Sequence, residues 1–379
     1  MRIVVSTILA AVALAPSVAQ AAPLMQPVDG EAFFGSVAAV RPPGGATVVF
    51  SSRGIVQAPA PATAITRAEV SGRPGPRGVT AVFRDEAGAV VATRETNGAY
   101  LLPPNGDLAV PGSHRSISLE RSLARIGARH GGVTGLWAQR LWDGRAAGWN
   151  AGAEFPAASL VKLPLAVGAI MRMGPTPWTH ASWPDMVSML RRSDNAAADS
   201  LIEDLGSGCD TSADSAAADG LRRLGAEQST FTGCYQMESE LQPRLPGGSV
   251  ATAPVWSNRH TTARDMGRML YALQASAAPT GAARRHTRIP VIDARLVLGL
   301  MLTAVQDGPN ATLFAGGLPA GTPLAEKNGW RTDEQHGAAI AYTRRGPVIL
   351  VVMTQRSGGA DLADAREIGA ELARASLRD

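Results

Sequence analysis

The chain is nearly without lysine. Of its 36 lysine and arginine side chains only Lys162 and Lys327 are lysines. It has two cysteines and six histidines, and aromatic residues make up 5% of its 379 residues. Nucleic-acid surfaces need clustered charge interleaved with stacking rings, so these scattered arginines exclude one despite a net charge of +4 and a pI near 9.5. The histidines show no metal-ligand spacing, and neither a metal nor another cofactor is expected. No His or Asn motif accompanies the cysteines, which excludes them as nucleophile candidates. Past the N-terminus there is no apolar run long enough to span a bilayer, and no stable membrane insertion is expected.

What is present at the start is export chemistry. Met1-Arg2, the apolar run 3–15 and Ala19-Gln20-Ala21 read as a signal peptide (1–21) cut after Ala21, which implies a secreted or periplasmic protein. No cysteine lies near that cut, so no lipid anchor is indicated, and a soluble monomer is expected. In an oxidising compartment Cys209 and Cys234 favour a disulfide closing a loop of about 25 residues. Two buried free thiols are the alternative.

Residues 22–112 are rich in Pro and Gly with short β-type runs at 46–50, 79–84 and 89–94. The last two flank the turn Asp85-Glu86-Ala87-Gly88, which predicts a hairpin. A small β-rich accessory domain is expected here, with a partly disordered spacer as the other reading. The stretch 103–112 reads as its linker.

Residues 113–379 read as one larger domain. A helix is predicted from a cap at Ser118, with Leu119, Leu123 and Ile126 on one stripe, ending at Gly131-Gly132. Strands follow at 134–141 and 145–150, then helices at 186–192 and 196–205. A loop is expected over 206–220 and another over 231–260. Helices are predicted from Thr261-Thr262 to 273 and over 294–305, strands over 326–330, 337–343 and 348–354, and a last helix over 362–377. This order implies an α+β fold with an antiparallel sheet built from both chain ends and an inserted helical block.

Both lysines sit in short motifs. Ser159-x-x-Lys162 opens the apolar run 163–170, and on a helix its two ends share one face. An amine, unlike a guanidinium, can lose its proton when desolvated and act as a base beside a hydroxyl. Ser193-Asp194-Asn195 comes next, then Lys327-Asn328-Gly329. Alone, the tripeptide could be a helix cap and Asn328-Gly329 a turn. S-x-x-K, S-D-N and a K-T-G-like triplet in this order are the signature of serine β-lactamases and penicillin-binding proteins.

From about Ser116 onward the chain resembles class A β-lactamases. The resemblance includes Gly317-Leu318-Pro319-Ala320-Gly321 and, most informative, Glu238-Ser239-Glu240-Leu241-Gln242 with Pro246-Gly247 after it, which looks like the family's omega loop. It implies a β-lactamase/DD-peptidase-like fold with helices on both faces of the sheet. Ser159 would be the acylated nucleophile with Lys162 as its amine partner, and Ser193 the proton donor to the leaving nitrogen. Glu238 would activate the hydrolytic water with help from Gln242. Asn195, Lys327, Asn328, Gly329, Trp330 and His336 would line the substrate site, with the Ser159 and Trp330 amides as the oxyanion hole, a device worth about 3 kcal/mol per donor.

Four departures stand out. Asn328 replaces a hydroxyl residue, His336 falls where many members carry a carboxylate-binding arginine, Gln242 is one methylene longer than the usual Asn, and the segment between Lys162 and Ser193 is short for the family, lacking a stretch that forms one wall of the cleft. The reading that follows is a serine hydrolase acting on a β-lactam amide. The alternatives are a cell-wall D-Ala-D-Ala peptidase, with a peptidoglycan peptide as substrate, and a weakly catalytic penicillin-binding or sensor protein.

Overall fold

The computed structural model describes residues 22–23, 25–103, 108–109, 114–206, 215–234, 244–245, 255–256, 259–278 and 288–378. The segments 1–21 and 207–214, and with them the signal peptide and Cys209, lie outside these residues.

The N-terminal part is a sheet around three antiparallel strands, Thr47–Ser52, Gly75–Arg84 and Val90–Leu101. The hairpin turn lies where Asp85 and Gly88 predict it: Asp85 N donates to Ala89 O, and Gly88 takes φ 86°. Side chains along Gly75–Arg84 alternate between buried and open, the period-two pattern of a half-buried strand. Phe33, Val48, Phe50, Val79 and Phe83 form its own apolar core.

This part packs on the rest through the helix Val291–Leu302. Gly299 is a glycine because Gly30 O would lie 1.8 Å from any Cβ there. Beside that contact Arg295 donates to Glu31 Oε1 at 3.2 Å and to Ala277 O at 3.0 Å, both side chains being buried.

The second sheet has six strands in the spatial order His114–Arg115, Arg145–Trp149, Val133–Arg140, Gly346–Gln355, Glu334–Thr343, Leu324–Trp330. All its pairings are antiparallel except the first. The helices Ile117–Arg129 and Leu362–Leu377 cover one face through Leu119, Leu123, Ile368 and Leu372. The helical block and the helix Ala263–Ala277 cover the other. The expected α+β architecture is therefore present, and Leu324–Trp330 is left as an edge strand facing the helical block.

Several boundaries differ from expectation. Ser116, not Ser118, caps the first helix, its hydroxyl accepting from Leu119 N. The helix predicted over 294–305 begins at Val291, just after Pro290, and ends at Leu302. The expected loop 206–220 gives way to a helix at Ala216–Leu224, capped by Ser215. Small residues make its packing possible: a Cβ on Gly220 would meet Pro164 O at 1.8 Å and one on Gly168 would meet Ala216 O at 1.7 Å. The expected loop 231–260 contains strand pairs at Arg244–Leu245 and Val255–Trp256, and Arg259–Thr262 pairs with Glu154–Pro156. Cys234 is disulfide-bonded, and its expected partner Cys209 lies outside the described residues.

Candidate active site

The apolar run after Ser159 forms the helix Lys162–Arg172, whose residues from Lys162 to Ile170 are all buried. Ser159 sits just before it in the one-turn helix Ala158–Val161. The chain reaches this turn through Ala158 at φ 46°, a left-handed conformation that costs a non-glycine residue on the order of 1 kcal/mol or more. Ala157 N donates to Arg259 O at 3.3 Å and Leu160 N to Ala157 O at 3.1 Å, so the turn is held on both sides of the strained residue. The edge strand closes on it from the front. A Cβ on Gly329 would stand 3.0 Å from Ser159 N and 3.1 Å from Leu160 N, which explains the glycine of the third motif.

The tripeptide resolves into two roles. Asp194 is the helix cap, accepting from Ala197 N at 3.2 Å and from Ser188 Oγ at 2.9 Å. Its neighbours instead face the lysines. Ser193 ends the helix Trp183–Arg192 at φ 59°, which presents both its carbonyl and its hydroxyl to the cleft side. Lys162 Nζ donates to Ser193 O at 2.5 Å and to Asn195 Oδ1 at 2.6 Å, and lies 3.5 Å from Ser193 Oγ. Lys327 Nζ donates to Ser193 Oγ at 2.8 Å and to Asn328 O at 2.6 Å. The only two lysines of the chain thus meet at one serine hydroxyl.

Both amines are buried, and burial disfavours their charged forms. Desolvation lowers the Lys162 pKa to about 7, against the opposing pull of Asp194 and Asp199. Lys327 is pushed well below the ordinary lysine value by desolvation first and by the positive charge of Lys162 second. With its pKa brought to about 7, Lys162 can take up or release a proton at physiological pH beside that hydroxyl, the property required of a general base or a proton relay.

The pleat of the edge strand sorts the remaining residues, because successive side chains point to opposite faces. Lys327 and Gly329 face Ser193 and Ser159. Glu326 and Asn328 face the segment 310–313: Glu326 Oε1 accepts from Leu313 N, and Asn328 Nδ2 donates to Asn310 O at 2.8 Å and Ala311 O at 3.1 Å. Asn328 Oδ1 packs toward Gly337, its cross-strand neighbour. The donors of that amide are therefore occupied by backbone, and the expected contact between Asn328 and a substrate carboxylate is not formed by this arrangement.

His336 departs from expectation in the same sense. It is wholly buried, Nε2 donates to Pro156 O at 2.9 Å, and Nδ1 accepts from Thr354 N at 3.2 Å. Burial lowers its pKa to about 4, so the ring is neutral at pH 7. It offers the cleft no cation. Trp330, at the end of the edge strand, is 46% exposed. Glu238 and Gln242 lie outside the described residues.

A narrow cleft adjoins Ser193 and Lys327, and Arg191, Gln306 and Asn310 also line it. None of these three was singled out by a motif. Glu326 was also missed; burial raises its pKa to about 7, outweighing hydrogen bonds from Thr312 and Leu313. The available signal was an acid directly before the motif lysine on a strand. Among the described residues no group of three or more His, Cys, Asp or Glu side chains is placed to hold a metal ion.

The sequence matches the model of a family described as the β-lactamase enzyme family over residues 118–174 and 185–378. Among solved structures, PBP-A superposes with a TM-score of 0.53 at 16% identity, covering 70% of this chain and 97% of that one. A PBP-A variant in an acyl-enzyme complex with penicillin G gives 0.53 at 18%, covering 70% and 97%. A β-lactamase from Streptosporangium roseum gives 0.53 at 18%, covering 69% and 98%. At these identities the likeness is one of fold. A search of curated proteins finds no match.

Proposed function

We propose, from the premise that this chain belongs to the β-lactamase enzyme family, that it is an exported serine hydrolase that opens β-lactam amides through an acyl-enzyme on Ser159. The observation that carries this reading is the convergence of Lys162 and Lys327 on Ser193 beside the Ser159 turn. In the proposed mechanism Lys162, as the neutral amine, takes the Ser159 proton while Oγ attacks the lactam carbonyl. Ser193 then passes a proton to the departing nitrogen, Lys162 returns to Ser193 the proton it took from Ser159, and Lys327 supplies positive potential. Glu238 directs water onto the ester, with Gln242 holding that water.

Export is part of the proposal and rests on the 1–21 sequence pattern. Among the described residues no helix is long and apolar enough to cross a membrane.

A D-Ala-D-Ala peptidase or penicillin-binding role is the second reading. It stays open because of one observation: neither Asn328 nor His336 turns a donor toward the cleft, so the carboxylate that a lactam and a D-Ala-D-Ala terminus both carry has fewer partners and lactam turnover is not favoured over the peptide. The two are separated by following loss of a penicillin, a cephalosporin and a D-Ala-D-Ala peptide with the wild-type protein and Ser159→Ala. The first reading expects steady lactam loss that Ser159→Ala abolishes. Turnover of the peptide alone would transfer the assignment to the second.

A further inference from the structure

His336 and Gly329 are cross-strand partners in the six-stranded sheet. Cross-strand partners share a face, and here that face meets the segment leading into Ser159. A Cβ on Gly329 would stand 3.0 Å from Ser159 N. His336 reaches the same segment three residues earlier, where Nε2–H donates to Pro156 O at 2.9 Å. Its other nitrogen accepts from Thr354 N at 3.2 Å, on the neighbouring strand Gly346–Gln355.

These two bonds fix the ring in one neutral tautomer, because Nδ1 must accept and Nε2 must donate. The ring is also wedged edge-on against Phe155, with centroids 5.8 Å apart and planes at 79°. Pro156 belongs to the short strand Glu154–Pro156, which pairs with Arg259–Thr262 in a different sheet. A single imidazole thus ties the catalytic sheet to the strand from which the nucleophile turn departs. Two residues later the backbone must pass through the left-handed Ala158, a conformation that persists only where surroundings over-determine it.

We infer that His336 is a positioning residue: its Nε2–H bond to Pro156 O holds the entry to the strained Ala158 turn and so sets where Ser159 Oγ stands. This rests on Ser159 being the nucleophile, the reading proposed above. It assigns His336 no contact with substrate, and so separates two roles a substitution can distinguish. A displacement of the nucleophile slows acyl transfer for every substrate, whereas loss of a substrate contact weakens binding.

The test compares the full chain with His336→Gln, His336→Asn and His336→Phe, using a fluorophosphonate probe of serine reactivity and a chromogenic cephalosporin. Thermal melts give the folded fraction to which rates are referred. Gln can accept and donate at once; Asn is shorter and spans one partner at most; Phe offers neither bond. Labelling of Ser159 is expected to slow about tenfold to a hundredfold in His336→Phe, less in His336→Asn, and to recover to within about threefold in His336→Gln. In single-turnover acylation by the cephalosporin, the substrate dissociation constant is expected to stay within about twofold throughout while the acylation rate constant falls. Should His336→Phe fail to fold, the Asn and Gln pair carries the comparison. Labelling at wild-type rate in all folded variants, or a raised dissociation constant with the acylation rate constant unchanged, overturns the inference alone. A wild-type protein that does not label at Ser159 overturns the nucleophile assignment with it.

Discussion

Lys162 Nζ donates to the carbonyl oxygen of Ser193 at 2.5 Å and stands 3.5 Å from its hydroxyl. The helix carrying one and the loop carrying the other are therefore bonded at the point where protons must move. A lysine that is desolvated and lowered to about pKa 7 is a base only in its neutral form, whose fraction grows as pH rises through that value.

Acylation of Ser159 is accordingly expected to accelerate with pH across about 7 in the wild-type protein. Lys162→Met should lose that dependence together with at least about a hundredfold in rate, the scale of positioned acid–base catalysis. Stopped-flow acylation at a series of pH values measures both.

The same shift has a stability consequence. The Lys162 pKa is lower in the folded protein than in the unfolded chain, so between about 7 and the ordinary lysine value of 10.5 the unfolded state binds more protons. Its contribution to stability rises with pH across that window. Lys162→Met lacks this rise, and urea melts at pH 7 and pH 10 should show the variant ahead of wild type at the lower pH and less so at the higher.

Gly329→Ala places a methyl group 3.0 Å from Ser159 N and 3.1 Å from Leu160 N, against the backbone of the nucleophile turn. Overpacking of this kind costs about 1–3 kcal/mol, and the turn must shift to relieve it. The expected result is a modest fall in melting temperature with a disproportionate loss of acylation, read by differential scanning calorimetry and active-site labelling.

The buried pair Glu31–Arg295 joins the N-terminal sheet to the helix Val291–Leu302. Burial raises the Glu31 carboxyl above its usual range despite Arg295, so the pair is not a strong source of stability by itself. Removing one partner, as in Glu31→Ala, strands a buried cation and should destabilise by about 3–5 kcal/mol. Glu31→Leu with Arg295→Met should be close to neutral. Chemical denaturation of the single and double variants checks both.

Most of the order of helices and strands after Ser116 is legible in the sequence because amphipathic helices and turn residues mark it, and the family resemblance places Lys327 near Ser193, whereas the bond from Lys162 to Ser193 O is seen only in the structure. What is not legible is which face a residue takes on a strand buried on both sides. Glu334–Thr343 is buried at every position, so it has no alternation to show that His336 points at Pro156 and not at the cleft. Asn328 is hidden for the same reason, its neighbours on Leu324–Trp330 being buried too. The helix Ala216–Leu224 reads as loop because it is built from small residues, and only its close packing on Pro164 and Gly168 shows why they are small.

Intact-mass spectrometry of the protein mixed with a penicillin, alongside lactam absorbance, tests acyl transfer at Ser159 most directly. The expected result is a brief adduct of one penicillin on the Ser159 peptide with steady lactam loss, persistent in Glu238→Ala and absent in Ser159→Ala. An adduct that survives in Ser159→Ala, or neither adduct nor lactam loss in the wild type, would contradict it.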